Sequence, residues 1–179
     1  FSEVLPAHPR PLFLFSAVNA QIINFPDPNF MAKLLKTGAA YMNEVPVIVD
    51  ANNDGEIEVS EVLPIGELYI SSSNISDLTG ISYFTNLKIL YCRNNQLQTI
   101  VTGPSITLWR LVADHNLLTS IDLHFDDFEM PSMDLSYDNL TSFTVEPLQF
   151  PGYEDINLSH NQLTSLTLGG SIYQINVSQ

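Results

Sequence analysis

Oxygen donors stand at every second position from Asp50 onward: Asp50, Asn52 and Asp54, then Gly55, with Glu58 and Glu61 further along. The full stretch reads Asp50-Ala51-Asn52-Asn53-Asp54-Gly55-Glu56-Ile57-Glu58-Val59-Ser60-Glu61. It satisfies every position of an EF-hand calcium loop. Asp50, Asn52 and Asp54 supply side-chain oxygens at the first, third and fifth positions. Gly55 permits the sharp turn at the sixth, and the Glu56 carbonyl faces the ion from the seventh. Ile57 anchors the loop to the core through a short strand, Glu58 ligates through water, and Glu61 closes the site with both carboxylate oxygens. Hard oxygens in this number suit Ca²⁺ better than Zn²⁺ or Mg²⁺. The alternative is an Asn/Asp/Gly turn dressed with surface acids. Pro64 stunts the exit helix and no second loop is present to pair with, so the expectation is a weak structural calcium staple.

Other reactive types are sparse. There is no Gly-x-Ser-x-Gly, no His-Glu-x-x-His and no phosphate-binding glycine loop, and the expectation is that the chain is not an enzyme. Asp114-His115 and Ser159-His160 are sequence neighbours that strand alternation would turn to different sides, a poor start for a triad. The lone Cys92 excludes a disulfide framework and reads as a buried thiol.

The elements that would carry these residues are set by a repeat. Leu-x-x-Leu-x-Leu-x-x-Asn-x-Leu is matched by Leu87, Leu90, Cys92, Asn95 and Leu97, by Leu108, Leu111, Ala113, Asn116 and Leu118, and by Tyr153, Ile156, Leu158, Asn161 and Leu163. Weaker copies run through Ile65, Leu68, Ile70, Ser73 and Ile75 and through Met130, Met133, Leu135, Asp138 and Leu140. A sixth, Ile172, Ile175 and Val177, is incomplete. The copies start at 65, 87, 108, 130, 153 and 172, so they are 22, 21, 22, 23 and 19 residues apart. This is the leucine-rich-repeat period. One repeat cannot bury its own apolar line, so the copies must stack into a solenoid. Short parallel strands then line the concave face, with a mostly irregular convex side and a small helical N-terminal cap. The fourth and sixth positions (Leu90, Cys92, Leu111, Ala113, Met133, Leu135, Ile156 and Leu158) should be buried. A second apolar line, Leu78, Ile100, Ile121, Phe143 and Leu166, should close the other wall. The ninth-position amides Asn95, Asn116 and Asn161 should satisfy backbone groups freed where the chain leaves the strand. Ser73 and Asp138 depart from that rule, so their turns should be looser or bonded differently.

A net charge of −14 with only six Lys and Arg argues against nucleic acid and against anionic lipid surfaces. No stretch is long and apolar enough to insert in a membrane, and a monomer is expected. Pro11–Ala17 behind Arg10, followed by Val18-Asn19-Ala20-Gln21, reads as the remnant of a signal peptide over residues 1–20. Residues 21–64 form the cap, in which Asp27-Pro28 starts a short helix with Phe30, Leu34 and Leu35 on its apolar face. Residues 65–179 hold the repeats.

The order Asn-Ala-Gln, then Ile23-Asn24-Phe25-Pro26-Asp27-Pro28-Asn29-Phe30, the acidic Asp-Gly loop, Asn74–Ile81 and Asn94-Asn95-Gln96-Leu97 resembles the secreted bacterial leucine-rich-repeat proteins, distantly similar to internalins. That resemblance covers residues 20–179 and implies export to the outside or the cell surface and a binding or adhesion role. No partner carries over from it.

On the concave side, the fifth position gives Tyr69, Tyr91, Val112, Asp134 and Asn157. The eighth gives Ser72, Asn94, His115, Tyr137 and His160, and Arg93 stands at a seventh. Tyr69, Tyr91, Arg93, His115, Tyr137 and His160 are the candidate partner-binding residues, because rigid amphipathic rings bind with little loss of entropy. A solvated sheet face of merely strand-compatible residues is the competing reading. His115 and His160 are two repeats apart, too far for one metal. The expected function is recognition of a protein or glycan on this face. A structural spacer, or the targeting appendage of a larger secreted enzyme, are the alternatives.

Overall fold

The computed structural model describes residues 21–125, 131–145 and 152–178. The leader reading at 1–20, and Met130 with it, lie outside the described residues. Among the described residues the first elements are α1 (Pro28–Leu34), the strands β1 (Ala40–Met42) and β2 (Val45–Val47), then α2 (Val59–Val62). The repeats follow with β3 (Glu67–Tyr69), β4 (Ile89–Tyr91), β5 (Thr99–Val101), β6 (Thr107–Leu108), β7 (Arg110–Val112), β8 (Ser120–Asp122) and β9 (His124–Phe125). The last are β10 (Ser132–Asp134), β11 (Ser142–Val145), β12 (Tyr153–Asn157), β13 (Ser165–Leu168) and β14 (Ile172–Asn176).

The fold is a leucine-rich-repeat solenoid. One sheet runs β14-β12-β10-β7-β4-β3-β1-β2, and its repeat strands are all parallel. The register is the one the sequence period dictates. Leu68, Leu90, Leu111, Met133, Ile156 and Ile175 stand opposite one another from strand to strand, each the fourth residue of its repeat. The expected inward set is buried throughout, from Leu90, Cys92 and Leu111 to Ile156 and Leu158. Leu78, Ile100 and Phe143 are buried on the opposite wall, Ile121 is half-buried, and Leu166, in the last full repeat, is exposed. Among the described residues, outside the main sheet lie three short parallel ladders, β5 with β8, β6 with β9 and β11 with β13, and a 3-10 turn, Ile81–Tyr83.

Behind each strand the ninth-position amides form a polar spine. Asn95 accepts from the N–H groups of Ser73 and Ile75 (both 3.0 Å) and donates to the carbonyls of Ile70 and Cys92 (both 2.9 Å). Asn116 donates to Cys92 and Ala113, and Asn161 to Leu135 and Leu158. One planar amide thus ties two successive turns, and buried carbonyls find their donors. The two exceptions differ as their chemistry requires. Ser73 is too short to reach back and donates to the Ser71 carbonyl instead (2.9 Å). Asp138 accepts from the Leu118 N–H (2.9 Å) as an Asn would, but its other oxygen, Oδ2, is buried without a partner among the described residues. Burial pushes this carboxyl up to about 7, with the nearby Asp114 charge adding to the shift.

The cap seals the first repeat. Asp27 Oδ1 accepts from the N–H groups of Asn29 and Phe30 and starts α1, while Oδ2 accepts from Ser76 N, Ser76 Oγ and Asp77 N. Burial opposes that charge, but the Ser76 and Phe30 donors outweigh it and hold the carboxyl below its ordinary range. Phe30 and Leu34 are fully buried. The sequence reading did not include the hairpin β1–β2, which docks antiparallel on β3 and occupies the sheet's N-terminal edge. Its two-residue loop, Asn43 (φ 50°) and Glu44 (φ 66°), has the doubly left-handed form that fits strand twist. Pro46 sits on the outer strand opposite Tyr41.

Candidate functional site

Where the chain leaves each strand, the eighth residue is left-handed. Ser72, Asn94, His115, Tyr137 and His160 have φ between 52° and 58°. Each donates its backbone N–H to the next repeat, His115 to Ser136, Tyr137 to Ser159 and His160 to Ser178. The ladder imposes this backbone, and Asn is among the residues that bear it most cheaply. Three successive repeats carry a ring there instead.

Those rings stack. His115 and Tyr137 lie 4.3 Å apart between centroids at 19°, and Tyr137 and His160 4.1 Å apart at 18°. A second ring cluster stacks Tyr69 on Tyr91 (4.7 Å, 20°) and adds Tyr41 from the cap hairpin at a tilt (4.8 Å, 56°). The six residues singled out from the sequence therefore fall into two groups: Tyr69 with Tyr91, and Arg93 with His115, Tyr137 and His160. Both faces of Tyr137 are covered by neighbouring rings, so it offers a partner its edge, while Tyr69 is stacked on Tyr91 and meets Tyr41 at a tilt. Tyr69 donates its hydroxyl to Glu67 Oε2 (2.9 Å) and is half-buried, which together with the Glu67 charge raises it to about 12. Tyr137 is 48% exposed.

Asp114 organises the second group. Its Oδ2 accepts from Arg93 Nη2 (3.0 Å) and meets His115 Nδ1 (2.8 Å), while Oδ1 is buried without a partner among the described residues. Sequence neighbours Asp114 and His115 do meet side chain to side chain, because the left-handed turn breaks the alternation that would have separated them. Among the described hydrogen bonds no nucleophile stands with them, and Asp114 Oδ2 is shared between the Arg93 guanidinium and the His115 ring. Burial pushes the Cys92 thiol far above its usual range, and it is inert there.

The acidic loop lies on the cap side. Asp50 accepts from Asp54 N (3.1 Å) and Gly55 N (2.9 Å), Asn52 Oδ1 from Asp54 N, and Asp54 Oδ1 from Glu56 N. Asn53 (φ 59°) and Gly55 (φ 88°) supply the left-handed bends. Glu61 accepts from Ala51, Asn52 and Glu58 N–H groups, so the twelfth loop residue also caps α2. Ile57 is fully buried and bridges to the N-terminal segment, with Ile23 N donating to its carbonyl at 2.8 Å. Residues 21–23 thus supply the pairing strand. Donor types, order and backbone bends all fit a calcium loop. As placed, no three His, Cys, Asp or Glu side chains among the described residues are grouped as metal ligands.

No family model and no curated protein matches the chain. Among solved structures it is similar to a leucine-rich repeat protein from Bacteroides eggerthii, at 16% identity and a TM-score of 0.41 over 72% of this chain. The chain spans about a third (34%) of that protein's length. The class is the one the sheet register itself defines, a leucine-rich-repeat solenoid. Among the described residues no helix is long and apolar enough to cross a membrane.

Proposed function

We propose that this chain is a secreted or surface-displayed binding module that docks a protein partner along the strand ends carrying Arg93, His115, Tyr137 and His160. The observation that carries this reading is the left-handed ring column. A Tyr or His at positive φ is strained by about 1–3 kcal/mol, and three repeats in a row accept that strain to hold rings at the surface. Ring edges, an imidazole N–H and a guanidinium then form a row of directional hydrogen-bond groups on a rigid scaffold. The reading is tested by screening extracellular proteins for binding to the wild type and to Arg93→Ala/Tyr137→Ala. A partner whose affinity falls at least about tenfold in the variant supports it. Partners that bind both forms equally refute it.

Mutual stacking favours one other reading, a structural spacer whose rings only stiffen the solenoid. A Tyr137→Ala variant that loses stability while every interaction persists would identify that case.

The cap carries a structural calcium site formed by Asp50, Asn52, Asp54, the Glu56 carbonyl and Glu61, in this same reading. What supports it is the order of hard oxygen donors and the two left-handed bends. Calcium bound only to the folded state raises the unfolding temperature as its concentration exceeds Kd. The effect should vanish in Asp50→Ala and shrink in Glu61→Gln. Hydrogen exchange over residues 27–75 that is identical with and without Ca²⁺ would reduce the loop to an acidic turn.

A further inference from the structure

On the opposite rim, at the N-terminal ends of β3, β4 and β7, the second repeat positions read Gly66, Lys88 and Trp109. Between them and the β1–β2 turn lies a groove of about 530 Å³, within the range of small-ligand sites. Trp109 forms one end and is 41% exposed, although it is the chain's one tryptophan. Its indole is held in place: Lys88 Nζ sits 5.6 Å from the ring centroid and is itself tied to Thr107 Oγ1 (2.7 Å) and the Thr107 carbonyl (3.2 Å). Lys88 is thereby committed. Gly66 leaves the floor open, since a Cβ there would meet nothing nearer than the Asn86 carbonyl oxygen at 3.9 Å.

The remaining polar groups converge with spare capacity. Asn86 Nδ2 caps the Leu63 carbonyl (2.7 Å), which leaves its side-chain oxygen without a partner among the described residues. Glu67 gives one oxygen to the Tyr69 hydroxyl. The Asn43 and Glu44 side chains, and the indole N–H, have no partner there either. Acceptors thus outnumber donors, and the two carboxylates, Glu44 and Glu67, outweigh the single ammonium of Lys88. An anionic ligand is repelled, and an aliphatic one would leave these groups unpaired. A polyhydroxylated ring answers both demands, with hydroxyls to donate and a C–H face to lay on the indole.

We propose that this groove binds a neutral glycan, with Trp109 as the platform and Asn43, Glu44, Glu67 and Asn86 as acceptors for sugar hydroxyls. The site is separate from the ring column and does not depend on that reading. Because Trp109 is the sole tryptophan, its fluorescence reports on the groove directly. The experiment titrates the intact chain with a panel of neutral gluco-, manno-, galacto- and xylo-oligosaccharides, a uronic-acid oligosaccharide and a lysine-rich peptide. A saturable change with at least one neutral oligosaccharide is expected, with none for the uronic acid. Gly66→Gln fills the groove while keeping the reporter, and should weaken that binding by about tenfold or more. Trp109→Ala should abolish it by calorimetry, with the thermal midpoint of each variant confirming folding. Silence across the neutral panel overturns the proposal. So does neutral binding that survives both variants, or a response to the peptide alone.

Discussion

Replacing Asp138 by Asn should stabilise this protein, and by an amount that depends on pH. Asp138 holds the ninth position of its repeat, where three other repeats use an amide that donates to two carbonyls. A carboxylate has nothing to donate. Its Oδ2 is buried without a partner among the described residues, and burial raises the group from 3.8 to about 7. One pKa unit corresponds to about 1.4 kcal/mol, so about three units set a ceiling near 4 kcal/mol. In the unfolded chain this acid ionises near 3.8, and folding between that value and about 7 takes up a proton. Stability from this group is intact below about 4, falls as pH rises through the window, and stays low above about 7. Asp138→Asn removes the penalty and restores both amide donors. Urea unfolding in metal-free buffer should show the variant more stable by about 2–4 kcal/mol at about pH 8, shrinking to about 1 kcal/mol or less near pH 4. Other carboxylates titrate over the same range, and the difference between variant and wild type cancels them. An equal difference at both pH values, or a variant less stable at about pH 8, would refute the argument.

Three further outcomes follow from the packing. Leu111→Ala, at the centre of the sheet and fully buried, should cost about 2–5 kcal/mol in the same unfolding assay. Asp27→Ala removes the α1 cap and the three contacts to Ser76 and Asp77, and should cost about 2–3 kcal/mol, with faster hydrogen exchange in α1. Since the Asp27 carboxyl is held below 3.8, its contribution is present above that pH and is lost as pH falls through the lowered value. Gly80→Ala combines φ +101° with a Cβ 2.6 Å from the Phe25 ring, and should lower the thermal midpoint by loosening the packing of Phe25 on Phe30.

The repeat register was legible because a fixed period forces it. Once Leu68 and Leu90 share a phase, a one-residue slip would turn the whole apolar line outward. The cap helix was equally legible, from Asp27-Pro28. The hairpin was not, because its left-handed turn is built on Asn43-Glu44 and lacks the glycine that signals such a turn. Positions of the candidate rings were readable, but their stacking was not. Periodicity says which residues are neighbours and is silent on whether two rings meet by face or by edge. The Asp114–His115 contact was misread for a related reason: alternation holds within a strand and fails at the left-handed residue that ends it. The Trp109 groove depends on the hairpin turn, so it could not be assembled from the repeats alone.

The hairpin gives the sheet a direction. In a two-residue hairpin closed by Met42 and Val45, the next outer residue, Pro46, stands where a backbone N–H would point away from the sheet. Proline has none, so an approaching strand finds a donor missing at the middle of the three-residue edge. The hairpin also precedes β3 to β14 in chain order, so every later strand of this sheet adds on the β3 side, away from the proline-blunted edge.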